Sequence, residues 1–144
     1  MNFALIELEL NIKLPSFYKN TVSDYPFQKK DELDFVEDNL VRDEKWVIEN
    51  NTNLRENGFF ENNWSSNFIA IGHDGFGNYI FLNLVSSDEK IYYADHDHDY
   101  DLDINDLEGL EYSSSMEEYI VTRGAFREKF SLPYKSITYQ VIIF

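Results

Sequence analysis

The residues best suited to chemistry lie in one stretch, Asp95-His96-Asp97-His98-Asp99-Tyr100-Asp101-Leu102-Asp103-Ile104-Asn105-Asp106. Carboxylates alternating with imidazoles can hold a divalent cation, and a hard ion such as calcium takes six to eight oxygens on a flexible loop. An EF-hand started at Asp97 puts Asp99, Asp101, Asp103 and Glu108 at ligand positions and Ile104 at the usual apolar one. It fails at the sharp turn, where glycine is required and Leu102 stands. It also fails in context, because Ile91 to Ala94 reads as a strand and not as an entering helix. His96 and His98 would share a face of a strand, but zinc needs further ligands that the pattern does not supply. The segment therefore reads first as a solvated acidic loop, with divalent-metal binding over residues 95–108 as an alternative.

Catalytic patterns are sparse. No G-x-S-x-G occurs, and Gly72, Gly75 and Gly77 do not follow dinucleotide or P-loop spacing. The His-Asp pairs at 73–74, 96–97 and 98–99 lack the helical scaffold and extra ligands of a phosphohydrolase centre. Thiol catalysis, disulfides and Cys-ligated zinc are excluded, because the chain has no Cys. The expectation is a protein that binds rather than catalyses, with no catalytic set, no cofactor and no assigned metal.

Charge narrows the partner. The formal net charge is −15, from 27 acidic and 12 basic residues. Phosphate backbones and anionic membranes would both repel such a chain. A basic partner complements it, since a field of one sign speeds encounter. Taken alone, the charge fits solubility equally well. Its distribution says more: between Lys90 and Arg123 there is no Lys or Arg, against ten Asp and Glu. The first ten residues carry Glu7 and Glu9 and no basic start, so they do not read as a secretory signal. No apolar run reaches the roughly 18 residues of a membrane span. Cytoplasm is the expected location.

The elements that must position these residues can be read in turn. Residues 3–11 alternate apolar and acidic as a strand would, but Leu5, Leu8 and Ile12 also fit helical spacing, which favours a first helix that Leu14-Pro15 ends. Pro15 suits the first turn of a second helix, whose apolar face is Phe17, Tyr18 and Val22. Leu33 and Phe35 suggest a strand within 31–41. A third helix over 43–56 is capped by Asp43, shows Trp46, Val47, Asn50 and Leu54, and stops at Gly58. Phe68–Ile71 and Tyr79–Leu84 read as strands joined by turn chemistry at Asp74, Gly75 and Gly77, with Ile91–Ala94 as a third strand. Ser115 and Glu118 have capping-box spacing, which predicts a helix over about 116–127 with Met116, Tyr119, Ile120 and Phe126 inward. The apolar tail 137–144 would aggregate if left as an open edge, so packing in the fold or in a homodimer is expected. No linker or repeat divides residues 1–144, which read as one α+β domain with a mostly antiparallel sheet flanked by helices.

The order of these elements resembles the SUKH superfamily, which contains fungal cell-wall assembly (glucan synthesis) regulators and many bacterial immunity proteins. Three stretches carry the likeness. They are the start Leu14-Pro15-Ser16-Phe17-Tyr18-Lys19, the hairpin Phe68 to Leu84 with its Asp-Gly-x-Gly turn, and Ile91-Tyr92-Tyr93-Ala94-Asp95-His96-Asp97. The Ser-Met-Glu-Glu-Tyr run at 115–119 also fits, whereas Ser23-Asp24-Tyr25-Pro26 stands where relatives often have Asn-Gly. The resemblance implies an immunity-type module that neutralises a cognate toxin, often a nuclease. A regulatory or scaffold role tied to wall synthesis is the alternative it implies. The candidate contact residues are Asp97, Asp99, Asp101 and Asp103, with Tyr92, Tyr93 and Tyr100 as aromatic anchors. The oligomeric state stays open at this point.

Overall fold

The computed structural model describes residues 1–24, 39–97 and 107–122. Its frame is a five-stranded antiparallel meander in the order β1-β2-β3-β4-β5. The strands are β1 Asn39–Leu40, β2 Phe68–His73, β3 Tyr79–Asn83, β4 Ile91–Ala94 and β5 Glu111–Ser113. The helices are α1 Phe3–Leu10, α2 Ser16–Ser23 and α3 Glu44–Asn57, and residues 116–122 form a further helix, α4. The α+β class and the antiparallel sheet expected from the sequence are both present.

Alternation along the strands sends two different chemistries to the two faces. Ile69, Ile71, Ile80, Leu82 and Ile91 belong to an aliphatic cluster. The helices cover it with Ile6 and Leu10 of α1, Tyr18 and Val22 of α2, and Met116 and Tyr119 of α4. Phe68, Phe81 and Tyr92 belong to an aromatic cluster, closed by Phe59 and Trp64 from the α3–β2 connection. Trp64 meets Phe81 edge-on at 5.1 Å, and Phe68 and Phe81 sit 5.0 Å apart. These offset and edge arrangements suit the ring quadrupoles.

Helix α3 lies along the β2 edge and serves both clusters, Val47 entering the aliphatic one and Leu54 the aromatic one. Between them, one turn from each, Asn51 is fully buried. Its Oδ1 accepts the Ala70 N–H at 2.7 Å and its Nδ2 donates to the Ala70 carbonyl at 2.9 Å. β1 pairs with β2 only at Gly72 and His73. Asn51 therefore does for Ala70 what a neighbouring strand would, and satisfies two backbone groups that burial would otherwise penalise.

Several local expectations are met. Asp43 caps α3 by accepting the Lys45 N–H at 3.0 Å. Gly58 stops α3 at φ 79°, where a Cβ would fall 2.5 Å from the Asn62 carbonyl oxygen, so only glycine fits. Ser115 Oγ accepts the Glu118 N–H at 3.0 Å at the start of α4.

Other expectations need correction. The buried face of α1 is Ile6 and Leu10, while Leu8 is 75% exposed. The i, i+3, i+7 spacing that starts at Phe3 wins, because Leu14 and Tyr18 lie beneath that face. Pro15 is the N-cap of α2 and not its first helical residue. The Glu118 side chain reaches back to Ser114, not to Ser115. The strand β5 was not expected, because the acidic composition of 108–111 disguises it. Of the strand expected within 31–41, the end is present as β1 Asn39–Leu40, while 31–38, Phe126 and the tail 137–144 lie outside the described residues.

Candidate protein-binding surface

The candidate site is the end of the sheet where the β2–β3 turn, the exit of β4 and the turn at 59–62 converge. It is built around Asp74, which is buried. Oδ1 of Asp74 accepts the Phe76 N–H at 2.8 Å and the Asn78 N–H at 3.4 Å. Oδ2 accepts Asn78 Nδ2 at 2.7 Å and the Tyr93 hydroxyl at 2.6 Å. Gly75 and Gly77, at φ 84° and 91°, supply the left-handed backbone this loop requires. Asp74, Gly75 and Gly77 thus form the turn that the sequence predicted.

The electrostatics follow from these bonds. Burial alone would raise the Asp74 pKa, but the hydrogen bonds from Tyr93, Asn78 and the Phe76 N–H outweigh it and hold the carboxyl below the ordinary aspartate range. Tyr93 shifts the opposite way. Burial, together with the Asp74 carboxylate that its hydroxyl donates to, raises its pKa well above that of a free tyrosine.

The network continues into the β4 exit. Because Asn78 Nδ2 points to Asp74, Asn78 Oδ1 is the atom that faces His96. It accepts the His96 N–H at 2.9 Å and lies 2.6 Å from His96 Nδ1. An amide oxygen can only accept, so the hydrogen-bond pattern assigns a proton to Nδ1. His96 Nε2 then faces Asp97 Oδ1 at 3.3 Å, an ion pair when the ring is protonated.

The His96 ring stacks on Phe60 at 5.0 Å with an interplanar angle of 28°. Phe60 sits in a tight turn closed by Phe59 N–H to Asn62 O at 2.8 Å and Asn62 N–H to Phe59 O at 2.9 Å. Its φ is 53°. That region suits glycine or asparagine, and a bulky side chain there costs about 1–2 kcal/mol. Even so, Phe60 is 60% exposed. Phe76, at the tip of the hairpin, is 69% exposed.

The predicted contact residues divide. Asp97 is exposed beside Asp95 and His96. Tyr93 is half-buried, bonded to Asp74 and stacked on Tyr112 at 5.4 Å, which makes it a member of the frame. Tyr92 is corrected: only 6% exposed, its ring packs on Phe81 at 5.5 Å and has no face left for a partner. Period-2 alternation decides this, because Tyr92 points to the same face as Phe81, its register partner on β3. Asp99, Tyr100, Asp101 and Asp103 lie outside the described residues.

For a cation, Asp95, His96 and Asp97 each bring one possible ligand atom to within 4.8 Å of the others. Asp95 Oδ1 also accepts the Asp97 N–H at 2.9 Å, and His96 Nδ1 is committed to Asn78. Among the described residues these three alone fall short of the six to eight oxygens of a calcium shell, and the rest of the 95–108 alternative lies largely outside those residues.

Sequence reasoning missed Phe60 and Phe76. A signal existed for Phe76: an aromatic between two turn glycines must project from the loop. For Phe60 the signal was weaker, since only one of two adjacent Phe residues after Gly58 can enter the core. Among the described residues, no helix is long and apolar enough to cross a membrane.

Comparison with curated proteins finds no match. Comparison with family models does, over residues 2–122, a span that includes α1, the hairpin, the β4 exit and α4. The matched span covers the helical start, the Asp-Gly-x-Gly hairpin and the acidic strand exit, and the chain belongs to the SMI1 / KNR4 family (SUKH-1).

Proposed function

We propose that this chain is a non-enzymatic binding module that works in the cytoplasm, neutralising a cognate toxin by direct contact. The toxin's contact surface is basic. One observation carries the reading. From residue 56 to 122 the only Lys or Arg is Lys90, against fifteen Asp and Glu, and of the described ones Glu61, Asp74, Asp95 and Asp97 stand at the turn end of the sheet, where no Lys or Arg of this stretch is described. A nuclease presents cations where it holds phosphate, so an acidic inhibitor is steered to that site and can occupy the same groups. Immunity proteins are part of what the family resemblance implies. The Asp74 carboxylate and the imidazole of His96 are spent on holding the loop, which supports a binding role over acid–base chemistry.

The test is co-expression with the product of the neighbouring gene, which is expected to carry a basic toxin-like domain; a neighbourhood that encodes none would overturn the reading. The expected result is a stable complex, loss of the domain's toxicity, and affinity that falls steeply with salt. A neighbouring domain that is not bound, or that is bound without loss of toxicity, would overturn the reading. Recovery of a wall-assembly complex in its place would favour a regulatory role.

A further inference from the structure

The toxin-binding role leaves open which residues grip the toxin, and the inference drawn now rests on that role. Two phenyl rings stand out at the turn end. Phe76 is 69% exposed, and its N–H is tied to Asp74 between two glycines of positive φ. No aromatic partner covers its ring among the described residues. Phe60 is 60% exposed and keeps a backbone conformation that a bulky residue avoids. Strain of this kind persists where the surroundings impose it, and it clusters at functional surfaces. The two residues are linked through Gly77. Phe76 precedes Gly77 in the chain, and Phe60 Cζ lies 3.7 Å from where a Gly77 Cβ would sit. Around them stand the exposed Glu61 and Asp97.

We propose that Phe60 and Phe76 form a two-ring anchor that enters an apolar pocket rimmed by Lys and Arg on the toxin. Charge complementarity selects this occupant. A second copy of the chain would bring −15 against −15, and an anionic membrane is repelled for the same reason. Division of labour follows from the physics of association. Buried aromatic anchors set how slowly a complex dissociates, whereas rim charges set how fast it forms and how strongly salt affects it. The Asp74 network positions the Phe76 loop and makes no contact itself.

The experiment measures association and dissociation rates, with the basic toxin-like domain that the neighbouring gene is expected to encode as the immobilised probe. Phe76→Ala and Phe60→Asn are each expected to speed dissociation about tenfold or more, with melting temperatures within a few degrees of the wild type. Asparagine tolerates the left-handed φ at position 60, so a loss of binding there cannot be assigned to backbone strain. Asp97→Asn is expected to slow association and flatten its salt dependence, leaving dissociation nearly unchanged. Amide exchange in the complex should slow at 58–62 and 73–78. If both phenylalanine variants dissociate like the wild type, the anchor is wrong while the binding role stands. Protection confined to the cleft lined by Phe17, Met116, Ile120 and Val121 overturns the anchor in the same way. So does a phenylalanine-dependent homodimer. A wild-type chain that fails to bind the probe overturns the toxin-binding role, and the anchor with it.

Discussion

The two faces of the sheet are covered by different materials. Helices press aliphatic side chains onto one face, where Ile69, Ile71, Ile80 and Ile91 are fully buried. An irregular connection closes the other with rings, Phe59 and Trp64 over Phe68 and Phe81. The helical cover carries its own backbone hydrogen bonds. The loop cover does not, and it borrows them from turns such as 59–62. The aliphatic face is thus a stability device. The aromatic face also holds a loop in place, and that loop displays Phe60 at the surface.

Substitutions can break this contrast. The largest effect is expected from Phe81→Ala, which removes the ring that Trp64, Phe68 and Tyr92 all contact and should cost about 3–5 kcal/mol in denaturant unfolding. If the aromatic cover were loosely held, the loss would be smaller than that of Ile80→Ala on the other face.

Next comes Asn51→Leu, which fills similar space but strands the Ala70 N–H and carbonyl. At about 1–3 kcal/mol for each buried group left unpaired, it should rival a core truncation although it adds apolar surface. A neutral result would mean that water or a shifted strand can replace the amide.

Asp74→Asn should cost about 1–3 kcal/mol near neutral pH, since an amide cannot accept all four bonds. The sign with pH is set by the lowered pKa of Asp74. A carboxyl held below its unfolded value stabilises the fold above that unfolded value, and this contribution is lost as pH falls through the folded value. The gap between wild type and variant should therefore narrow in acid. Stability curves that stay parallel down to strongly acidic pH would deny Asp74 its ionised role.

The smallest effect concerns Tyr18, whose ring is fully buried and whose hydroxyl has no hydrogen-bond partner among the described residues. Burial raises the pKa of that hydroxyl. Tyr18→Phe removes an unpaired polar group, so it should be neutral or stabilising by up to about 1 kcal/mol in thermal unfolding. A clear loss of stability would reveal a partner for the hydroxyl.

Much of the frame was legible because it depends on local physics. The Asp43 cap, the Gly58 stop and the Asp74-Gly75 turn are each decided within a few residues, and short-range sterics and capping suffice for them. Errors arose where a choice depended on distant residues. In α1 two hydrophobic stripes compete, and only the position of Leu14 and Tyr18 selects Ile6 and Leu10 over Leu5 and Leu8. Asn51 has no local signature at all, because its partner, Ala70, is nineteen positions away in the chain.

Most of the elements, their turns, the acidity of the 56–122 stretch and the absence of thiol chemistry can thus be read from the residues in order along the chain. Composition and local backbone preference do not depend on the rest of the fold. Packing between distant segments settled which side of each element became core, and it gave Tyr92 to the interior and Phe60 and Phe76 to the surface. A side chain's exposure is set by what lies across from it, and strand pairing brings together residues that are far apart along the chain.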